Sequence, residues 1–311
     1  MISITIIITT FREAATLGAA IDAFLPQLPA AAELLVVCPD PETSAVAEEY
    51  AARYACVRQL VDPQRGKPTA LLQGLRAATG EIVVLSDGDV RVAEDALAPL
   101  LAPFADARVG AVTGRPLSTN SRQNKWGYWS HFLTDSAHQI RLQRDQAGEF
   151  LLCSGYLFAF RRALIADLPP DALAEDAVIS HRIAQQGYHI RYAPEAHVWV
   201  NYPTTYADWL RQKVRSAGGY AQDYVRSSPV RMRSAGREAC AGLRLARKFA
   251  RTPREVWWTG LLFGARLHLW GLVFINVRLL RKPFAALWQR VETTKGARKR
   301  VSEKAGERES G

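Results

Sequence analysis

Glu81-Ile82-Val83-Val84-Leu85-Ser86-Asp87-Gly88-Asp89 runs four consecutive apolar residues straight into two carboxylates separated by one glycine. Branched apolar side chains without polar alternation predict a strand buried on both faces, as in a parallel sheet covered by helices. Two carboxylates this close repel each other, and a divalent cation relieves the repulsion while keeping positions open for phosphate oxygens. Asp-Gly is equally a hairpin turn, so on this stretch alone both readings stand. An EF-hand is excluded, because the later ligands and the closing Glu of that loop are missing.

Upstream, apolar runs at residues 4–8 and 34–37 alternate with helical patterns at 13–24, 44–54 and 69–78. This alternation predicts an α/β fold with a mainly parallel sheet flanked by helices and a ligand crevice at the strands' carboxyl ends. Downstream, residues 109–113 read as a strand, 123–146 as a polar stretch rich in helix formers, and 150–160 as a further apolar segment. A helix from about 175 to 186 ends at Gly187, which suits a left-handed cap, and 188–192 resumes extended structure before Pro194.

The 311 residues are 48% hydrophobic, ample material for a core, which excludes disorder along the whole chain. The formal charge of +10 is unevenly spread: residues 1–200 hold 17 basic and 22 acidic side chains, and the last 111 hold 23 and 8. The two parts therefore do different work. Cys38, Cys56, Cys153 and Cys240 form no CxxC pair, and the six histidines show no HExxH spacing, so neither zinc nor a disulfide framework is indicated. The chain opens on a strand rather than a leader pattern, which predicts a cytosolic domain.

From about residue 226 the sequence turns Arg-rich, and 256–280 carries Trp257, Trp258, Phe263, Trp270 and Phe274. The length suits a membrane span, but Arg266, His268, Asn276 and Arg278 interrupt it, and charges at mid-depth cost roughly 2.5–3.5 kcal/mol each. A helix lying in the interface is expected, with Arg244, Arg247, Lys248, Arg251, Arg254, Arg281 and Lys282 drawn to anionic lipid. A single span and an apolar helix docked on the protein's own core are the alternatives. The expected division is a catalytic domain over 1–225, a basic, tryptophan-rich helical segment over 226–290 that meets the membrane, and a charged, disordered tail over 291–311. Attachment at the cytoplasmic face of the cell membrane follows from this division. No nucleic-acid module is discernible, so nucleic acid is not an expected partner.

Other motifs carry weaker signals. Arg65-Gly66-Lys67 precedes a helix, so cationic side chains and a helix amino terminus could face one anion, a phosphate or a base edge. It is not a Walker A loop, since Val61 and Pro68 occupy two of its required positions, and as an isolated motif it reads first as a solvated basic loop. Glu175-Asp176 opens a helix, where the dipole favours acids regardless of function. In a site that must deprotonate a hydroxyl, however, Asp176 is the candidate base. Gln212 and Arg215 share one helix face and suit an acceptor or a diphosphate, or simply a solvated basic surface.

In order and spacing these pieces resemble the inverting family 2 glycosyltransferases, with their nucleotide-sugar-binding GT-A fold. The resemblance runs from Ile2 to about Tyr220. It rests on Thr9-Thr10-Phe11-Arg12-Glu13, on Arg65-Gly66-Lys67-Pro68-Thr69-Ala70-Leu71, and on Ala78-Thr79-Gly80-Glu81-Ile82 leading into Asp87-Gly88-Asp89. It continues through Ser154-Gly155 with Arg161-Arg162, Ala174-Glu175-Asp176, Gly187-Tyr188 and Pro194-Glu195-Ala196. The resemblance implies a metal-dependent enzyme that takes a sugar from a UDP- or GDP-sugar donor, with Asp89 on Mg²⁺ or Mn²⁺, Asp176 as base and Glu175 beside the acceptor. It implies a nucleotide-sugar site of Thr9, Phe11, Glu13, Asp40, Arg65, Lys67, Asp87 and Gly88. Ser154, Gly155, Gln212 and Arg215 would then meet the acceptor or the diphosphate. Gln212-Lys213-Val214-Arg215-Ser216 looks like the QxxRW segment of polysaccharide synthases, with Ser216 in the place of tryptophan. The expected acceptor is a lipid-linked saccharide or a polyprenyl phosphate. A sugar nucleotidyltransferase, or a membrane-bound scaffold that binds nucleotide sugar without turnover, are the rival readings.

Overall fold

The strands at the start of the chain are β-branched and unbroken by charge, and in the computed structural model they form the centre of an eight-stranded sheet. The structure describes residues 2–220, 222–226, 242, 244–275, 291 and 293–294. The strands are β1 (Ile4–Thr9), β2 (Glu33–Cys38), β3 (Val57–Val61), β4 (Ile82–Asp87), β5 (Arg91–Val92), β6 (Val109–Ser118), β7 (Leu157–Arg161) and β8 (His189–Val200). Their order is β3-β2-β1-β4-β7-β6-β8-β5. β7 runs against its neighbours β4 and β6, β5 runs against β8, and the remaining pairs are parallel.

Burial on both faces explains the missing alternation. Ile6, Ile8, Leu34, Val36 and Val84 pack under α1 (Ala14–Phe24) and α2 (Pro41–Arg53). Ile7, Leu35, Val37, Val83 and Leu85 face the opposite side, with α3 (Lys67–Ala77) and α6 (Glu175–Gln185). The chain steps outward from β1 to β2 and β3, then returns across β1 to β4, so a crevice opens between the carboxyl ends of β1 and β4. Thr9 and Asp87 lie in register there.

Two strands run further than the sequence suggested. β6 continues past Thr113 to Ser118, and β8 continues through Pro194 to Val200. Their register jumps from Thr113↔Tyr192 to Arg115↔His197, so residues 193–196 bulge opposite Gly114. A proline is tolerated there because a bulge needs no ladder N–H at that position. Gly187, at φ +84°, takes the left-handed conformation expected of it.

A third apolar cluster joins α5 (Lys125–Gln146), α7 (Tyr206–Gly219) and, beyond the short helix α8 (Asp223–Arg226), the helix α9 (Pro253–Val273). Tyr128, Trp129, Phe132 and Trp209 pack against Leu262, Ala265, Leu269 and Val273. The Tyr128 hydroxyl lies 2.6 Å from Thr259 Oγ1, and Trp129 Nε1 donates to Trp258 O at 2.7 Å. The basic segment is thus docked by one face of α9, while Val256, Trp257, Leu267, Trp270, Phe274 and Ile275 stay exposed on and just beyond it. Among the described residues no helix is long and apolar enough to cross a membrane. Residues 276–280 of the tryptophan-rich stretch, Arg281, Lys282, Cys240 and nearly all of the expected tail lie outside the described residues.

Candidate functional site

The site is organised around Lys67. Gly66, at φ +96°, turns the chain into α3, and the next side chain projects into the crevice. Lys67 Nζ stands 2.7 Å from Asp87 Oδ1, at the end of β4, and 2.7 Å from Glu175 Oε1, in the first turn of α6. Burial alone would lower this amine's proton affinity, but the two carboxylates raise it well above the ordinary lysine value. Burial would likewise raise Glu175, and the Lys67 ammonium instead holds it below the usual carboxylate range.

The acids next along each motif, Asp89 and Asp176, behave differently. Burial, and then the charge of Asp87, push Asp89 up to about 6, against the pull of Lys67 and Arg215. Burial, and then the charge of Glu175, push Asp176 up to about 6 as well. Asp176 Oδ2 accepts from Gly155 N at 3.1 Å and Oδ1 from Ala177 N at 2.9 Å, which fixes the carboxylate plane. The negative charge at Asp87 and Asp89 is therefore only partly offset by the protein's own cations. Among the described residues no group of three or more His, Cys, Asp and Glu side chains could hold a metal ion. A pair of carboxylates completed by oxygens from a ligand is the donor set Mg²⁺ or Mn²⁺ accepts, so these residues fit such an ion.

Gly88 allows the two loops to close on each other. Its N–H donates to Thr9 O at 3.3 Å, and Thr16 Oγ1 donates to Gly88 O at 2.8 Å. A Cβ here would collide with Thr10 Oγ1 and stand 2.6 Å from Thr10 Cβ and 2.9 Å from Glu13 Oε2. Thr10 Oγ1 in turn donates to Glu13 Oε2 at 2.7 Å, so Glu13 braces this seat. On the far side of the first loop, Arg12 N donates to Asp40 Oδ2 at 2.7 Å and Thr43 N to Asp40 Oδ1 at 3.1 Å. Burial would raise Asp40, but the bonds from Thr43 and Arg12 keep it below the usual range. Phe11 is exposed beside Arg12, whose guanidinium lies 5.2 Å from its ring centroid.

The structure thus brings Lys67, Asp87, Gly88, Asp89, Gly155, Glu175 and Asp176 together from four separate parts of the chain. Arg215, on α7, lies near enough for its charge to act on both Asp89 and Glu175. Among the described residues, Gln212 Oε1 on the same helix is buried without a hydrogen-bond partner. Thr9 contributes its carbonyl, and Ser154 is buried with its N–H donating to Thr113 Oγ1 at 2.8 Å. Arg65 is exposed, and its carbonyl accepts from Thr69 Oγ1 at 3.3 Å. Two site residues escaped the sequence reading. Tyr156 and Tyr202 pair edge-on at 6.1 Å, and burial, then the charges of Asp89 and Asp87, raise the Tyr156 phenol. Tyr156 was open to inference as the neighbour of Ser154-Gly155, whereas nothing local marked Tyr202.

A family model described as "Glycosyltransferase like family 2" matches residues 3–219. Over 159 residues the chain is 30% identical to the poly-beta-1,6-N-acetyl-D-glucosamine synthase of Staphylococcus aureus (strain COL), covering 50% of this chain and 39% of that one. It is 28% identical over 187 residues to the probable glycosyltransferase YdaM of Bacillus subtilis (strain 168), covering 57% and 44%. The chain therefore spans about two fifths of the length of these relatives. Among solved structures, the mannosyltransferase PcManGT from Pyrobaculum calidifontis, in complex with GDP-Man and Mn²⁺, superposes with a TM-score of 0.59 at 23% identity, covering 91% of this chain and 82% of that one. The glucosyl-3-phosphoglycerate synthase of Mycobacterium tuberculosis, with Mn²⁺, UDP and phosphoglyceric acid, gives 0.50 at 18% identity, covering 76% and 82%.

Proposed function

We propose, from the premise that this chain belongs to the family 2-like glycosyltransferases, that it transfers a sugar from a UDP- or GDP-sugar to an acceptor hydroxyl with inversion at the anomeric carbon. The observation that carries this reading is the Asp87–Lys67–Glu175 bridge, which sets the acids of β4 beside the candidate base of α6. Asp87 and Asp89 would hold Mg²⁺ or Mn²⁺, which supplies positive charge to the departing diphosphate. Arg215 lies near Asp89 and Glu175 and would bind the diphosphate directly.

Asp176 takes the acceptor proton. Gly155 N and Ala177 N orient its carboxylate, and a value near 6 leaves it ionised at neutral pH yet basic enough to accept a proton. The acceptor oxygen bonds to the anomeric carbon from the face opposite the nucleotide, its proton moves to Asp176, and the C–O electron pair leaves with the diphosphate. Gln212 Oε1, lacking a donor, would accept a hydroxyl of the incoming alcohol.

Asp176→Asn keeps the shape and removes the base. Transfer to acceptor is expected to fall about 10²–10⁴-fold while donor binding by calorimetry is unchanged; wild-type transfer by this variant would sink the assignment. The acceptor we infer is lipid-linked. Support comes from the exposed tryptophan and leucine side chains of α9 and the neighbouring exposed Arg244, Arg247, Lys248, Arg251 and Arg254, which suit peripheral attachment to an anionic membrane.

A further inference from the structure

A cleft of about 520 Å³ lies between α5 and the stretch 244–251 and shares no lining residue with the carboxylate cluster. That volume is within the range of small-ligand sites. Arg122, Arg244, Lys248 and Arg251 line it against one acid, Asp135. Arg122 is held in place: its Nε donates to Glu255 Oε1 at 3.2 Å, a terminal nitrogen donates to Phe249 O at 3.2 Å, and its guanidinium lies 4.3 Å from the Phe249 ring centroid. Arg244, Lys248 and Arg251 are exposed, and none forms an ion pair among the described residues. A second hollow of about 320 Å³ shares Arg122, Asp135 and Phe249 and adds Arg115, whose Nε is buried without a hydrogen-bond partner among the described residues.

Cations gathered in a concavity repel one another and focus a positive potential into it, and a buried guanidinium N–H without an acceptor is destabilising. An anion with several oxygens in the larger cleft relieves the first, an acceptor in the adjoining hollow the second, and arginine forks match phosphoryl oxygens. Glu255, which fixes Arg122, stands in the first turn of α9, the helix with Trp257 66% and Leu267 75% exposed. We propose that this cleft binds a phosphoryl anion, supplied by the headgroup of an anionic lipid. The proposal rests on the membrane contact inferred above and names its chemical seat.

The test floats full-length protein with phosphatidylcholine vesicles, with and without phosphatidylglycerol. Wild type is expected to float in a phosphatidylglycerol-dependent manner, and R244E/K248E to bind about tenfold more weakly or worse. R53E/R76E makes the same change in net charge elsewhere on the surface and is expected to float like wild type. In a second arm, soluble glycerol phosphate is expected to raise the Tm of wild type and not that of R244E/K248E, with donor binding the same in both. If neither protein floats but the glycerol phosphate shift is still lost in R244E/K248E, the cleft takes a free phosphate and the membrane contact alone fails. Equal flotation of wild type and R244E/K248E together with equal glycerol phosphate shifts, or no shift in either protein, overturns the proposal.

Discussion

Asp176 is ordinary in composition and unusual in setting. Its value of about 6 lies above the ordinary 3.8, so the folded chain holds a proton that the unfolded chain has released between about pH 4 and 6. The contribution of this group to stability therefore falls as pH rises through that window. In the role proposed for it, catalysis moves the opposite way, since a base must be ionised. With saturating Mn²⁺, which on the proposed reading would hold Asp89 deprotonated, kcat/KM is expected to climb with pH and level off above an apparent value near 6; a flat profile from pH 5 to 8 would separate Asp176 from the proton transfer. Gly88→Ala makes a different demand, because its Cβ would meet Thr10 and Glu13. We expect a stability loss of about 1–3 kcal/mol in urea unfolding together with weaker nucleotide-sugar binding, as the two loops part. At this scale the acids were legible one by one from their motifs. Their pairing through Lys67 was not, because 20 residues of chain separate Lys67 from Asp87 and over a hundred separate it from Glu175.

Among the elements, the buried strands were the easiest to read, since unbroken apolar runs such as 82–85 fit only a sheet covered on both faces. β3 was missed because its pattern is mixed: Val57 is buried, but Arg58 and Val61 are exposed at the sheet's edge. β8 was cut short at Pro194 because the bulge that accommodates the proline depends on Gly114 in another strand. α9 shows the same dependence on distant partners. Its apolar composition reads alike for a lipid-facing and a docked helix, and only Tyr128, Trp129 and Trp209 reveal which face is covered. Thr259→Val should leave the Tyr128 hydroxyl buried without its partner and cost about 1–3 kcal/mol, measured by denaturant unfolding. An unchanged midpoint would mean that α9 is not held by this contact.

For the molecule as a whole, the division of charge follows the division of labour. The acidic first 200 residues build the sheet and most of the crevice, and the basic remainder supplies Arg215, the cation-lined cleft wall and the docked helix. A nucleotide sugar that binds the folded state should raise its Tm by mass action. Screening UDP-, GDP- and dTDP-sugars is expected to give a shift for one nucleotide class that requires Mn²⁺ and disappears with EDTA. A shift insensitive to chelation would remove the cation from donor binding.

Lys67 also makes the two ends of the crevice listen to each other. One ammonium cannot satisfy two anions independently: were Asp87 drawn to a bound cation, Lys67 would be left to Glu175, and the repulsion that Glu175 exerts on its neighbour Asp176 would weaken. Loading the donor would in this way lower the proton affinity of the carboxylate proposed as the base, so that it stays ionised at a lower pH in the loaded site than in the empty one.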